Sequence, residues 1–556
     1  MAIRIGNLRL ELAATSGNWQ EGIIPLTEGD PGQGGAIVLD TAHAGYGDSR
    51  GVLAGHYEYA VDIDASVPQL LRPSPLRTDI AVGGTAAVSG AFDVGSYTWL
   101  LAGQYVRRLN PADNSLLTVI DAGAGNTVKS GVAWNGKGYV AAGGTLYEIT
   151  PPSTVASAAI AADVLAVGLS ALYKASGAQV SKATANPLVA ANWSAPTTFG
   201  DPSVPVTWMA EYGRFLFVAK EDGLWALDAD FNAVNVLPEL APYRHSDNGR
   251  CMQAWHGLLM VPHRQGLYAY SVGEVLPVGP ERLETNESPA AGRVVALASA
   301  GRWLYAALQA GNDTYVLAGR ERDGGAGGPG PMLWHTVWQL PSATCRMLHV
   351  SGLTNPPRLY IGRGADVSYV PLLDSTGASR QASGSIYWAR LSGRQPRTPK
   401  LWTGVDLAVE GSGPVTCYVS VEGRPWEMTG RATGPGAARL DFPADARFVG
   451  RWLSLRLELG SANTEVVMPV VVSYITAPRL AKAYMATVTL GGSLGDRDAE
   501  ERLSRLLEMA QPGAGPVPLV TPYGQEAMVR VVDVRRQAAA SPSSAYVVSI
   551  AMREVG

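Results

Sequence analysis

Cysteine is scarce in this chain of 556 residues, and its spacing excludes the sites that cysteine usually builds. The three cysteines, Cys251, Cys345 and Cys417, lie far apart and belong to no CxxC or Cys/His pattern. An odd number without such spacing argues against a disulfide framework and against a structural zinc site. We expect all three to be small buried apolar side chains.

Lysine is scarce as well, and charge of neither sign dominates. Only seven of the 44 basic residues are lysine, and 48 acidic residues give a net charge of -4. Because binding to a nucleic-acid backbone needs clustered positive charge, this balance indicates no nucleic-acid partner.

Long apolar runs are missing. No stretch approaches the ~20 apolar residues of a membrane-spanning helix. Arg4, Arg9 and Glu11 interrupt the first residues, which therefore lack the apolar region of a signal peptide. We expect a protein with no membrane span that is made in a cytoplasm without a signal peptide.

Glycine (64) and proline (37) are abundant, which is typical of a β protein rich in turns. From about Gly83 to Leu373 one pattern recurs: an apolar strand, a tight turn, and a second strand that opens with an aromatic residue. The seven copies begin at Trp99, Tyr139, Val164, Phe215, Leu258, Trp303 and Leu359. Their mean spacing is about 43 residues, but the spacings of 25 and 51 around the third copy leave its register open.

A period of about 40–45 residues with four strands per unit is that of a β-propeller blade. The sequence therefore predicts a mainly β fold, with an about seven-bladed β-propeller over residues 83–374. Two alternatives stay open: six or eight blades, and a pair of ordinary β-sandwiches in place of the propeller.

The flanking regions differ from the repeats. Residues 1–82 contain strands and loops that either close the propeller ring or pack beside it. Alternating strands between glycine and proline turns predict a β-sandwich over residues 385–478. Residues 483–556 predict a small α+β module, with domain boundaries near 375–385 and 478–484.

The sequence predicts one helix in this last module. Asp496 or Asp498 can cap it, and Pro512-Gly513 ends it. Its predicted apolar stripe consists of Leu503, Leu506, Leu507 and Ala510.

Histidines and glycines give no clear site. His245, His256 and His263 fall in one repeat near Asp247, but their spacing signals no metal centre. Gly324–Gly330 contains a glycine-rich phosphate motif in spelling only, because no strand and helix flank it, and we expect a surface loop.

The acidic residues do not indicate a site either. Asp228, Asp230 and Asn232 are spaced like calcium ligands, but Ala233 replaces the required glycine, which favours a hairpin turn. Asp93–Trp99 resembles a degenerate Asp box of the sialidase propellers, and the carboxylates Asp62 and Asp64 do not reveal whether they face a cleft. We predict no catalytic residue, no cofactor and no metal.

Tryptophan (14) and tyrosine (22) are the one unusual resource. Most recur at strand starts, which predicts that they fill the blade core. Three of them, Trp255, Trp334 and Trp338, are candidates for surface contact at the rims, where they would stack on sugars or anchor a protein partner.

Two stretches resemble the tail-tip or minor tail proteins of long-tailed bacteriophages. Ser385–Gly411 (SIYWARLSGRQPRTPKLWTGVDLAVEG) is similar to the opening of the sandwich in minor tail proteins. Arg505–Val534 (RLLEMAQPGAGPVPLVTPYGQEAMVRVVDV) resembles the distal-tail type of module, in which a Leu-rich helix precedes a strand, a turn and a second strand. The resemblance covers about a third of the chain.

The resemblance implies a structural component of a phage tail tip or baseplate, located in the virion tail. The C-terminal parts would dock against other tail-tip proteins and against identical copies in a symmetric ring. The propeller would project towards the host surface, where a host-wall glycan is one expected partner. Two other classes stay open: a carbohydrate-active or carbohydrate-binding propeller enzyme with an accessory sandwich, and an intracellular scaffold.

Overall fold

A computed structural model describes residues 1–14, 17–26, 34–40, 42, 45–46, 56–263, 266–271, 273–279, 292–321, 332–373, 375–393, 396–476, 479–491, 497–511, 513–537 and 546–555. Within these residues the fold is mainly β, with one α-helix. Short 3₁₀ turns lie at Ala190–Asn192, Pro238–Tyr243 and Ala446–Phe448.

The strands before the repeats are β1 (Ala2–Ile5), β2 (Leu8–Leu12), β3 (Trp19–Leu26), β4 (Gly34–Leu39), β5 (Gly45–Tyr46), β6 (His56–Tyr57), β7 (Tyr59–Val61), β8 (Ile63–Asp64), β9 (Leu70–Pro73) and β10 (Thr78–Ile80). The strands of the first four repeats are β11 (Val88–Val94), β12 (Tyr97–Ala102), β13 (Tyr105–Leu109), β14 (Leu116–Asp121), β15 (Val128–Trp134), β16 (Lys137–Ala142), β17 (Thr145–Thr150), β18 (Thr154–Ala158), β19 (Val164–Gly168), β20 (Ala171–Ser176), β21 (Gln179–Ala183), β22 (Thr197–Thr198), β23 (Val206–Tyr212), β24 (Phe215–Lys220), β25 (Gly223–Leu227) and β26 (Ala233–Asn235). The remaining repeats contain β27 (Gln253–Trp255), β28 (Leu258–His263), β29 (Gly266–Ser271), β30 (Glu274–Gly279), β31 (Arg293–Ala300), β32 (Trp303–Ala310), β33 (Asp313–Glu321), β34 (Met332–Leu340), β35 (Leu348–Ser351), β36 (Arg358–Arg363) and β37 (Asp366–Pro371). The C-terminal elements are β38 (Gly384–Leu391), β39 (Lys400–Glu410), β40 (Val415–Val421), β41 (Glu427–Ala432), β42 (Gly436–Asp441), β43 (Val449–Gly450), β44 (Leu453–Leu459), β45 (Glu465–Thr476), β46 (Arg479–Leu490), α1 (Arg497–Met509), β47 (Val517–Val520), β48 (Glu526–Arg536) and β49 (Tyr546–Glu554).

The repeats form four-stranded antiparallel sheets, seven of them within the described residues. Six sheets each consist of four consecutive strands, from β11–β14 to β31–β34. The seventh has the order β10-β37-β36-β35, so its outermost strand comes from the N-terminal region. First strands of successive sheets contact each other, and β35 contacts β11. This arrangement is a β-propeller-type fold.

Each neighbouring pair of sheets shares one apolar core, and the last sheet shares one with the first. In that closing core Val88 and Leu100 of the first sheet pack with Tyr360 and Val367 of the seventh. The second strands are therefore covered on both faces, as in β16, which is buried from Gly138 to its end. Burial on both faces explains why these strands are continuous apolar runs in the sequence.

A hydrogen bond recurs between successive sheets. The N–H of Val128, which opens β15, donates to the Gly103 carbonyl of the preceding sheet at 2.7 Å. Gly103 sits in the turn between β12 and β13 with φ of +61°, and an added Cβ would approach Ala86 to 2.5 Å. The same bond joins Val88 to Gly364, again linking the first sheet with the last. Only glycine combines this backbone conformation with this close approach.

Two further sheets accompany the repeats. One has the order β41-β40-β44-β38-β7, and the other has the order β42-β39-β45-β9-β8. Burial alternates along their strands, as in β44, where every second side chain is buried. Strands β7, β8 and β9 come from residues 59–73, so the N-terminal region contributes to these sheets as well as to the propeller.

The contacts divide the chain into two compact units. One comprises residues 1–35, 398–401 and 475–556, and the other comprises residues 36–397 and 402–474. In the first unit the strand order is β2-β1-β47-β48-β49-β46, and β2 also pairs with β46, which closes the sheet on itself. Strand β3 pairs with the part of β46 that β2 leaves unpaired. We call this unit the terminal barrel.

The predicted helix is present as α1 in the terminal barrel. Leu506 is fully buried in the barrel core, and Leu503 and Ala510 pack against that core. Leu507 is 47% exposed, so its assignment to the apolar stripe is wrong. The apolar face of the helix is therefore narrower than predicted. The residues that reach the core, Leu503, Leu506 and Ala510, are three to four positions apart, and Leu507 lies to the side of this row.

Candidate functional site

Two cavities adjoin each other along the first strands of the propeller sheets. The larger cavity has a volume of about 650 Å³ and the smaller one about 280 Å³. They share Ser89, Gly90, Ala91, Trp208 and Arg346. First strands of all the sheets contribute to the two cavities together, which makes them the candidate functional site.

Beta-bulges shape the wall of the larger cavity. The register shifts after Val88 in β11, after Val128 in β15 and after Val206 in β23. The extra residues at these bulges are Ser89, Lys129 and Thr207, and all three line the larger cavity. A bulge inserts one residue and re-aims its side chain. These three bulges therefore each place one side chain of different chemistry at the cavity.

The carboxylates of the larger cavity are neutralised. Lys129 Nζ pairs with Asp163 Oδ1, and the Gly177 N–H donates to the other oxygen of Asp163 at 2.7 Å. Burial raises the pKa of Asp163, but these hydrogen bonds outweigh burial and hold the pKa below its usual value. Glu221 pairs with Arg244 at 2.9 Å.

Two arginines of the same cavity lack such a partner. Arg250 and Arg346 line the wall, and neither forms an ion pair with a carboxylate in the described part of the chain. The nearest acidic neighbour of Arg250 in sequence, Asp247, pairs with Arg293 at 3.1 Å instead. Within the described residues, the larger cavity thus holds two arginines without a carboxylate partner.

The smaller cavity carries an imidazole held by a carboxylate. His349 Nε2 lies 3.0 Å from Asp93 Oδ1, and Thr98 donates to the same oxygen at 2.7 Å. Burial raises the pKa of Asp93, but hydrogen bonds with His349, Thr98 and Ser351 outweigh it and lower that pKa. Asp93 is the first residue of the stretch that resembles an Asp box, and its carboxylate orients a histidine here.

The three tryptophans predicted for surface contact are buried. Trp255, Trp334 and Trp338 are 5%, 4% and 1% exposed. Each indole N–H donates to a backbone carbonyl, those of Gly301, Val278 and Pro75 respectively. The prediction of a rim position is wrong for all three, because these rings fill the cores between successive sheets.

The three histidines that fall in one repeat do not converge. His245 contacts Arg293 at 2.7 Å, whereas His256 contacts the Gly301 carbonyl at 3.0 Å. His263 is buried against the rings of Tyr243 and Tyr268. No group of three or more metal-ligating side chains comes together among the described residues.

The other acidic motifs are structural. Asp228 accepts hydrogen bonds from the backbone N–H groups of Asp230 and Asn232, both at 2.9 Å, which closes a turn. Asp64 is buried and pairs with Arg72 at 3.0 Å. Gly324–Gly330 lies outside the described residues.

The cysteines form no disulfide. Cys345 and Cys417 are buried, and Cys251 is partly buried. No helix of the described chain has both the length and the apolar character needed to cross a membrane.

Comparison with known proteins gives no family. No family model matches the chain, and no curated protein is similar to it. A chain in the crystal structure of a mitotic checkpoint complex is similar over 55% of this chain and 95% of its own length, with 10% identity and a TM-score of 0.41. The extracellular domain of a hybrid two-component system from B. thetaiotaomicron is similar over 67% of this chain and 47% of its own length, with 12% identity and a TM-score of 0.39. Neither likeness carries an argument about function.

The cavity residues were missed by the sequence analysis, although a signal exists. The triplets Val88-Ser89-Gly90, Val128-Lys129-Ser130 and Val206-Thr207-Trp208 each begin nine residues before a second strand, namely β12, β16 and β24. Aligning the repeats on this valine would have marked the residue after it as the bulge. Arg250 and Arg346 carry no such signal, because they lie in the connections between sheets.

Proposed function

We propose that this protein is a structural and adhesion component of a bacteriophage tail tip or baseplate. The terminal barrel docks into the tail, and the propeller projects for contact with the host surface. The protein acts without catalysis, and its place is the virion tail. Release of product from host-wall polysaccharide by the purified protein would contradict the non-catalytic part of this proposal.

The proposal includes the finer architecture. We take the seven four-stranded sheets as the seven blades of one ring, closed by β10. Supporting this count are the contact between β35 and β11 and the core that the last sheet shares with the first. We take the two further sheets as the faces of a sandwich, supported by the alternating burial along strands such as β44.

The observation that carries the docking role is a pair of exposed apolar side chains on the terminal barrel, Met485 and Val532. Met485 on β46 is 52% exposed and lies directly opposite Ala551 on β49. Ala551 in turn faces Asp533 on β48, next to the exposed bulge residue Val532. Met485 and Val532 are thus exposed apolar side chains on either side of Ala551, and we take this face, which also carries Asp533, as the surface for protein–protein contact. Identical copies in a closed ring, or other tail-tip proteins, are the proposed partners.

The test uses the full chain carrying Met485→Glu, supplied to a phage that lacks its own copy. We expect the variant protein to fold, since the position is exposed, and to enter tails about 10-fold less efficiently, because a charge buried at an interface costs more than 1.4 kcal/mol. Val234→Glu is the matched control, since Val234 is 63% exposed on β26 of the propeller. Equal incorporation of both variants would contradict the docking role. A tag on the propeller located inside the tail tube by electron microscopy would contradict the projecting arrangement.

A further inference from the structure

The larger cavity has the size of a ligand pocket. Its volume of about 650 Å³ lies within the ~300–1,000 Å³ that small-molecule sites occupy. Part of its wall, including Ser89 and Thr207, is built on strands and their bulges, where the backbone is held by regular hydrogen bonding. A preorganised wall of this kind loses little conformational entropy when it binds a ligand.

Charge in the cavity favours an anion. Lys129 and Arg244 neutralise the two carboxylates, Asp163 and Glu221. Arg250 and Arg346 are left as cationic groups from two different connections. A guanidinium binds carboxylate or phosphate through paired N–H donors, and it stays charged at all physiological pH values.

Polar groups beside the arginines suit sugar hydroxyls. Ser89 and Thr207 line the wall, and Thr207 already donates its hydroxyl hydrogen to the Asn248 carbonyl. Its oxygen therefore remains available as an acceptor. Trp208 lines both cavities, and its indole N–H donates to the Met252 carbonyl at 3.1 Å, which fixes the ring. A fixed aromatic ring next to hydroxyls and cations is a combination that fits an acidic sugar.

We infer that the larger cavity binds a sugar unit bearing a carboxylate or a phosphate. Arg250 and Arg346 hold the anionic group, and Ser89 and Thr207 meet the sugar hydroxyls. This inference rests on the adhesion role proposed above, and it names the ligand class that the propeller recognises.

Calorimetric titration of the purified full chain tests the inference with four probes. Oligoglucuronate carries the carboxylate, glucose 6-phosphate carries the phosphate, glucose is neutral, and inorganic phosphate lacks the sugar. We expect at least one of the acidic sugars to bind about 10-fold more tightly than glucose and than inorganic phosphate, and binding to weaken as salt is added. The acidic sugar that binds identifies the anionic group.

Substitutions of the arginines test whether the ligand binds in this cavity. Arg346→Gln is expected to weaken binding of the acidic sugar about 10-fold, and Arg346→Lys, which keeps the charge, is expected to weaken it less. Arg214→Gln is the matched control, because Arg214 is an exposed arginine in a turn of the propeller and stacks on Phe215 away from the cavity lining. Circular dichroism checks that each variant is folded.

Three results would overturn the inference: glucose binding as tightly as the acidic sugars, no binding of any probe, or unchanged affinity in both Arg346→Gln and Arg250→Gln. Inorganic phosphate binding as tightly as glucose 6-phosphate would overturn the sugar part. Incorporation into tails separates this outcome from failure of the proposed function, since Arg346→Gln should enter tails normally. A protein that binds acidic sugars yet never enters tails would refute the tail role and leave the cavity assignment standing.

Discussion

At the residue scale, Asp62 is a half-buried carboxylate whose charge Arg77 and the Gln339 backbone compensate only in part. Its Oδ1 is buried and has no hydrogen-bond partner within the described chain. Burial raises its pKa to about 6, although the charge of Arg77 opposes that rise. Asp64, two residues on, is fully buried, is paired with Arg72 and lies 3.6 Å from Arg380. The two neighbouring carboxylates therefore affect stability in opposite directions.

We predict that Asp62→Asn stabilises the protein at pH 7.5 by about 1–2 kcal/mol. The raised pKa means that the folded state binds the proton more tightly than the unfolded state. The free energy of unfolding therefore falls as pH rises from about 4 to about 6, and it stays low above that range. Asparagine removes this loss, and it tolerates the φ of +51° at this position.

Urea unfolding at pH 4.5 and at pH 7.5 measures this difference. The gain in Asp62→Asn should be large at pH 7.5 and small at pH 4.5, where the wild-type carboxyl is mostly protonated. Asp64→Asn serves as the control and should destabilise the protein at pH 7.5, because it leaves Arg72 without its buried partner. A stability of Asp62→Asn equal to wild type at both pH values would refute the prediction.

At the element scale, β10 differs from every other outermost strand of the propeller sheets. Strand β14 follows β13 directly in the chain, whereas β10 pairs with β37 across almost the whole propeller sequence. Ile80 of β10 and Ile120 of β14 are 7% and 3% exposed, so they offer a matched pair. The two strands therefore differ mainly in whether a short connection joins them to the strand they pair with, and hardly in the burial of these side chains.

We predict that Ile80→Ala and Ile120→Ala each lower the free energy of unfolding by about 2–4 kcal/mol, with different local effects. Without its anchor β10 separates from β37, because no short turn holds it in place. Strand β14 stays paired with β13, since the short connection keeps it close. Hydrogen exchange should thus accelerate in β37 of the first variant and remain slow in β13 of the second. Equal local protection in both variants would show that closure by β10 is no weaker than a hairpin.

The strands also show how much of the fold could be predicted from the sequence. The apolar second strands and the aromatic starts of the third strands revealed the repeats, because burial on both faces leaves a continuous apolar run. The third copy was placed one strand early: Val164 opens β19, a first strand, whereas the other copies open on second strands. Short strands with similar composition cannot be told apart by periodicity alone.

Pairing between distant segments could not be predicted from the sequence. Nothing local in residues 2–26 indicates that β1, β2 and β3 pair with strands at the other end of the chain. The burial of Trp255, Trp334 and Trp338 could not be predicted either, since the local sequence around a tryptophan in a strand is the same in a core and at a rim. The periodicity of apolar residues shows which face of a strand is buried, but it does not show which segment covers that face.

At the scale of the whole molecule, the terminal barrel depends on both ends of the chain. We predict that deleting residues 1–26 unfolds the barrel while the propeller sheets persist, because β1 and β2 close the barrel between β47 and β46. Hydrogen exchange should lose protection in β46 and β49 and keep it in second strands such as β16 and β24. Loss of protection in the propeller sheets would refute the prediction. The milder Ile5→Ala, at a fully buried barrel position, should show the same pattern to a smaller degree.

The N-terminal strands are matched with C-terminal ones in mirror order. Strand β10 completes the sheet of β35–β37, β7 to β9 join the sheets of β38–β45, and β1 to β3 join β46–β49. On a ribosome, each early segment must therefore wait for its partner, and the partners emerge innermost first. The propeller can be completed when β37 is made, the next sheets after β45, and the barrel only after β49. Strands β1 to β3 therefore lack their C-terminal partners until β49 is made, which makes synthesis itself the period when this protein most needs protection from aggregation.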